Sequence, residues 1–322
     1  MSAPATGRRA AVLQAGIPGD VVDGVTRFLT LGHLLIEDTI LPDGRVLSGR
    51  LGGDCLYAAV GARVWCDDVD LATRVGRDFP EELLAQMEAA GYGGGLIPCE
   101  HASIHLWVRW GLEAAGRFTF REGVGTYDDF TPRPEEIPAG VTARLEAVHV
   151  APVPFAPMQS LVRWARDRAR IVTVDPHYEH VSGNRDEWRR VLPHADVFLP
   201  SRQEAIDLLG EWTGAEAAAR ALAGLGARVV CIKLGAEGSL GYRAADDLVV
   251  HVPAVIRDVV DPTGCGDAFA GGFLVGWTET ADLRTALAYG SVSASFAAEG
   301  YGAVHALAVD RAEARRRLEQ LR

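Results

Sequence analysis

The 322-residue chain is short of several things, and each shortage removes a class of function. Its five cysteines (Cys55, Cys66, Cys99, Cys231 and Cys265) are scattered, with no CxxC pair. That spacing is neither a disulfide framework nor a thiolate zinc site, and a reducing cytoplasm is the expectation. No apolar run is long enough to span a bilayer. Positive charge is in deficit: 32 Lys and Arg stand against 43 Asp and Glu, for a formal net charge of −11. Neither nucleic acid nor a membrane is therefore an expected partner, since nonspecific binding to either needs a basic surface. A local site for one phosphate stays open, because a few amides and cations hold it against the global field. There is no GxxxxGK[ST] and no HRD or DFG set, so neither P-loop nor protein-kinase chemistry is supported. No histidines have useful metal-ligand spacing.

What is present describes a globular protein with a sizeable core: 48% hydrophobic and 23% charged residues. Residues 1–26 read as an N-terminal extension, with a basic pair and a short apolar run broken by Gly16 and Pro18. From Arg27 the pattern becomes periodic. RFLTLGHLLIEDTIL reads as strand, and after a turn at Pro42-Asp43-Gly44, RVLSGRL reads as the second arm of a hairpin. LYAAVGARVW and EELLAQMEAAG have helical spacing, and VDLATRVG reads as a short buried strand. SIHLWVRWG and GRFTFREG alternate and predict another hairpin, joined through LEAAG. This second hairpin carries Trp107, Trp110, Phe118 and Phe120. From about residue 144, strand and helix patterns alternate, which means βα units and a mostly parallel sheet covered on both faces.

The stretch DVVDPTGCGDAFAGGF, residues 258–273, carries the chemistry. AVIRDVV before it reads as a strand and DAFAGGFLVGW after it as a helix, so DPTGCG falls at a strand-to-helix turn. In parallel α/β proteins that is where ligands bind. Glycines let backbone amides converge without a Cβ, and amides at a helix start bind anions. Asp267 stands beside Gly264, Cys265 and Gly266. A carboxylate beside an anion hole suits proton removal from a hydroxyl that attacks phosphorus. A plain helix cap is the competing reading.

DPTGCGD resembles the D-T-x-G-A-G-D signature of the PfkB (ribokinase-like) family of ATP-dependent small-molecule kinases. LGGD (51–54) with the helix after it, TRVGRDFP, KLGAEGS (233–239) and ALAYGSVSASFAAEGYGA are similar to further family segments, in the family's order, over about residues 27–310. The resemblance implies an α/β ribokinase-like fold: a central, mostly parallel sheet with helices on both faces. A small β-sheet lid would come from segments near 33–55 and 102–122 of a kinase domain spanning 27–322. It implies transfer of the γ-phosphoryl group of ATP to a hydroxyl of a sugar or sugar-like acceptor, with Mg²⁺. A nucleoside kinase of the same fold and a catalytically silent kinase-like binding protein are the alternatives. By the same resemblance Asp267 is the catalytic base and Gly264, Cys265 and Gly266 form the anion hole. Lys233, Gly235, Gly238, Ser201 and Glu204 belong to the ATP site, with Glu204 reaching Mg²⁺ through water. Gly52, Gly53, Asp54 and Tyr57 approach the acceptor, together with Glu37 or Asp38. These last two are adjacent, so a strand points them to opposite faces and only one can serve. Asp261 and Thr263 match positions that hold a monovalent cation such as K⁺ in some members. A homodimer through the lid sheet is a further expectation. The chain departs from the family at Ser201, which replaces an Asn in Asn-x-x-Glu, at Tyr57, where many sugar-binding members have Asn, and at Cys265, which replaces the common Ala. His177 and Tyr178 follow the strand RIVTVDP on the ligand side of the sheet, and with Asp175 they are candidates to line the same cleft.

Overall fold

The computed structural model describes residues 27–109, 117–255 and 258–321. The extension expected over residues 1–26, Trp110 and the LEAAG connection lie outside them. The strands are β1 (Phe28–Leu31), β2 (Leu35–Ile40), β3 (Val46–Gly52), β4 (Val69–Gly76), β5 (Gly95–Cys99), β6 (His105–Arg109), β7 (Phe118–Phe120), β8 (Ala147–Val150), β9 (Ile171–Val174), β10 (Val197–Phe198), β11 (Val229–Lys233), β12 (Ser239–Arg243) and β13 (Leu248–Val252). The helices are α1 (Asp54–Arg63), α2 (Glu81–Ala89), α3 (Tyr127–Phe130), α4 (Phe155–Arg166), α5 (Arg185–Val191), α6 (Arg202–Leu209), α7 (Ala215–Ala223), α8 (Cys265–Thr280), α9 (Leu283–Ala297) and α10 (Arg311–Glu319).

Among the described residues nine strands form one sheet in the order β13-β12-β11-β10-β9-β8-β1-β4-β5. It is parallel from β5 to β11, and β12 and β13 are added antiparallel at one edge. Side chains alternate across it with period two. In β1, Leu29 and Leu31 enter the core shared with α4, while Phe28 faces the core shared with α1. Thr30, on the same face as Phe28, donates to the Cys55 carbonyl in α1 at 2.7 Å. The four remaining strands form the separate small sheet, β3-β2-β6-β7, with β2 and β6 parallel and both outer pairs antiparallel.

Two strand assignments change. RFLTLGHLLIEDTIL is two strands, one in each sheet. The break falls at Gly32, where a Cβ would lie 2.1 Å from Asp54 Oδ1. AVIRDVV, expected as a strand over 254–260, carries no strand among its described residues. The last strand among the described residues ends at Val252, and Pro253 cannot donate to a ladder. The chain then leaves the sheet, and the Val260 and Asp261 amides donate to the Ala298 carbonyl just beyond α9 (2.8 and 3.1 Å). DPTGCG therefore sits at a loop-to-helix turn.

Small residues bring the chemistry-bearing helix ends together. A Cβ on Gly271 of α8 would fall 1.8 Å from the Ala58 carbonyl oxygen of α1, and one on Gly61 would fall 2.0 Å from that of Ala268. Backbone packs on backbone there, so the N-terminus of α8 (Asp267) and that of α1 (Asp54) open on the same cleft.

Candidate active site

A cavity of about 650 Å³ lies beyond the carboxyl ends of β8 to β11, under the small sheet. Pro152, Asp175, Ser201 and Lys233 line it from the ends of successive parallel strands, and Gly264, Cys265, Gly266 and Asp267 from the start of α8. Its volume falls in the range of small-molecule sites.

Gly264 is the N-cap of α8 with φ +76°, a left-handed conformation that favours glycine. A Cβ there would also meet the Tyr57 ring at 2.3 Å. Tyr57 lines the cavity but is only 2% exposed, so its ring backs the Gly264 turn rather than offering an open stacking face. The first amides of a helix have no acceptor four residues back. The Cys265 amide turns back to the Pro262 carbonyl at 3.3 Å, which leaves those of Gly264 and Gly266 for a ligand. Burial pushes the Cys265 thiol up to about 12, so it is an inert small residue.

Asp267 lines the cavity in no ion pair among the described residues. Burial, then the carboxylates of Asp175 and Asp54, hold its pKa well above the ordinary carboxylate range. Such a group accepts a proton readily. Lys233, at the end of β11, pairs with Asp175 at the end of β9. Burial favours the neutral amine, but Asp175, Glu204 and Asp267 outweigh it and raise the lysine. Burial pushes Asp175 up to about 7 against the pull of Lys233. Its Oδ1 is buried without a hydrogen-bond partner among the described residues. A Cβ on Gly266 would lie 3.4 Å from Lys233 Nζ, so the ammonium flanks the glycine turn.

Ser201 and Glu204 form a capping box at the start of α6. Gly235 (φ +64°) opens on the cavity with empty space where a Cβ would stand. Gly238 also lines the cavity, but its Cβ would strike the Val252 carbonyl oxygen at 2.1 Å, so it serves the turn between β11 and β12 as well.

On the other side of Asp267, β2 resolves the Glu37/Asp38 alternative. Glu37 lines the cavity, and burial with Asp261 nearby raises its carboxyl to about 8. Asp38 turns to the opposite face. There it accepts from the Gly49 amide (2.8 Å) and pairs with His105 (3.0 Å) and Arg121 (3.2 Å), so it does not reach the acceptor. Gly52 is not on the cavity wall: it leaves room for the Glu37 carboxyl, whose Oε1 would lie 2.0 Å from an added Cβ. Gly53 and Asp54 do line the cavity. Asp54 is fixed by the His33 amide (2.6 Å) and His33 Nδ1 (2.8 Å).

Sequence reasoning missed Tyr127, His33 and Arg117. Tyr127 lines the cavity with its ring 4.8 Å from that of His177 and 4.9 Å from that of His33. Each comes from a distant segment, and no local spacing marks it; only the aromatic content of the region hinted at such a wall. Asp261 and Thr263 are together but already engaged. Arg117 Nη2 donates to Thr263 Oγ1 at 3.0 Å and lies 3.6 Å from Asp261 Oδ1. With a guanidinium on both, these two residues do not fit a monovalent cation.

The comparisons with known proteins agree with this architecture. The profile described as pfkB family carbohydrate kinase matches residues 33–309, and the chain belongs to that family. It is a phosphotransferase acting on an alcohol group. It is 31% identical over 268 residues to the cytidine kinase of Thermococcus kodakarensis, covering 81% of this chain and 92% of that one. Among solved structures it is similar in fold to an E. coli protein described as a ribokinase II candidate, in complex with ATP and Mg²⁺ (TM-score 0.73, 19% identity, 92% of this chain and all of that one). It is also similar to the Burkholderia thailandensis nucleoside kinase in complex with inosine (TM-score 0.71, 20% identity, 91% and 98%). No helix among the described residues is long and apolar enough to cross a membrane.

Proposed function

We propose that the acceptor is a nucleoside, with ATP as donor and Mg²⁺ as the metal. The observation that carries this is the lining around Glu37: Leu35, Leu106, Phe118, Tyr127 and His177 give the cavity an apolar and aromatic wall. A flat base suits such a wall, while Glu37 and Asp54 suit ribose hydroxyls. The cytidine kinase likeness supports the same class.

Asp267 takes the proton of the attacking hydroxyl, and the Gly264 and Gly266 amides with Lys233 stabilise charge on the transferring phosphoryl group. Gly235 and Gly238 border the nucleotide. Among the described residues no cluster of three His, Cys, Asp or Glu could bind a metal directly. That suits Mg²⁺, which keeps several waters and uses one or two carboxylates with substrate phosphates. The unpartnered Asp175 Oδ1 and the Glu204 carboxylate are the candidates to order those waters. Bound Mg²⁺ supplies charge neutralisation at the phosphates.

ADP release with cytidine, uridine, adenosine, inosine, ribose and fructose tests the acceptor. A nucleoside is expected to give the highest kcat/KM; a higher value for a free sugar overturns the reading and favours the carbohydrate class of the family description. ATP binding without turnover on any of these acceptors overturns the nucleoside reading. A cytoplasmic location and a homodimer through the small sheet complete the proposal. Val46 and Phe120, 45% and 37% exposed, lie on that sheet, and sedimentation of the wild type against Phe120→Glu checks the dimer.

A further inference from the structure

Arg117 stands just before β7 of the small sheet, yet its guanidinium reaches the loop that begins the catalytic helix, 146 positions along the chain. The loop it meets is tightly made. The Thr263 amide donates to Asp261 Oδ1 at 2.8 Å, and Asp261 is 1% exposed. A second carboxyl, that of Glu37, is close enough to both Asp261 and Arg117 to feel them. A buried carboxylate such as that of Asp261 needs a compensating cation. Arg117 supplies one that is always charged and presents its donors in a rigid fork.

Asp261 and Thr263 are the positions that the family resemblance assigns, in some members, to a monovalent cation. A guanidinium on the Thr263 hydroxyl and beside the Asp261 carboxylate excludes that ion by charge and by space. We propose that Arg117 is the protein's built-in counter-ion for the 261–264 loop: it holds the turn that precedes Asp267 from the small sheet and makes the fold of that turn independent of K⁺. Arg117 is in this reading a positioning residue. It acts on the anion-hole turn through Asp261 and Thr263 and couples that turn to the sheet that covers the acceptor.

The test uses the full chain at constant ionic strength, with KCl exchanged for N-methylglucamine chloride. The first readout is Tm with and without ATP, which needs no acceptor, so a mistaken acceptor leaves this experiment standing. The second is thallium-205 NMR, in which Tl⁺ reports a K⁺-type site. Wild type is expected to show the same Tm in both salts and no saturable Tl⁺ binding. Arg117→Ala is expected to open the site: Tm falls in N-methylglucamine, recovers saturably with KCl, and Tl⁺ binds. Arg117→Lys keeps the charge and is expected to remain indifferent to K⁺. With an accepted substrate in hand, Arg117→Ala should lose about 10- to 100-fold in kcat without K⁺, from misplacement of the anion-hole donors. KM for ATP should change far less. Saturable K⁺ stabilisation or Tl⁺ binding in the wild type overturns the proposal. So does an Arg117→Ala protein that matches the wild type in both salts. If Arg117→Ala does not fold, the wild-type salt exchange and Arg117→Lys decide it: K⁺ dependence in either counts against, indifference in both supports.

Discussion

Ser201 and Glu204 cap each other across the first turn of α6: Ser201 Oγ accepts from the Glu204 amide at 3.2 Å, and Glu204 Oε2 accepts from the Ser201 amide at 2.6 Å. Where the PfkB pattern has Asn-x-x-Glu, this chain has Ser201 as the N-cap of α6 in a capping box with Glu204. The glutamate thus has two duties, and they separate by mutation. Glutamine at the third helical position still completes the box. Glu204→Gln should leave Tm nearly unchanged while raising the Mg²⁺ concentration needed for half-maximal turnover. An unshifted metal titration would remove Glu204 from the metal's surroundings and leave it a cap.

Asp175 and Lys233 allow a test by pH. In Lys233→Met the Asp175 carboxyl loses its cation while staying buried, and it avoids the cost by remaining protonated. Its folded-state pKa then lies further above the unfolded value than it already does, so the native state holds a proton that the unfolded chain releases. The variant's Tm should approach that of wild type in acid and fall behind progressively as pH rises through and beyond about 7, with KM for ATP raised throughout. A Tm difference that is flat with pH would show that the pair is not what holds the Asp175 charge.

Asp267→Asn should lower turnover by about 10²- to 10⁴-fold, the usual contribution of a general base, with ATP affinity by calorimetry little changed. In the wild type, kcat/KM should climb along an acid limb whose midpoint lies above the ordinary carboxylate range, because only the ionised Asp267 accepts a proton. Comparable turnover in the asparagine variant would falsify the base assignment.

How much of this was legible beforehand follows from how local each feature is. The glycine turn and Asp267 lie within a few positions of one another, so their spacing alone placed an anion site beside a carboxylate. The βα rhythm after residue 144 likewise exposed the parallel sheet. The Glu37/Asp38 pair was half legible: alternation says that one faces in, but which one depends on which side of the small sheet meets the large one. The β12–β13 hairpin was not picked out at all, and the AVIRDVV stretch read as strand by composition although Pro253 and the pull toward Ala298 take it out of the sheet. Arg117 on Thr263 was invisible, since nothing within ten residues of either announces a contact spanning 146 positions.

Glu37 gives the last prediction, and its sign follows from burial. The folded carboxyl keeps its proton up to about 8, while the unfolded chain releases it near the ordinary value of 4.5. Between those values the native state binds more protons than the unfolded one, so the site's contribution to stability is whole below 4.5 and is lost as pH rises through about 8. Glu37→Gln cannot ionise and escapes that loss. Its Tm relative to wild type should therefore improve steadily from acid to mildly alkaline pH and then level off. The same substitution removes a carboxyl from the acceptor's hydroxyls. Acceptor KM should rise about tenfold, the equivalent of about 1.4 kcal/mol of hydrogen bonding, while KM for ATP stays as it was. A parallel rise in both constants would place Glu37 in the support of the cleft and not at the acceptor.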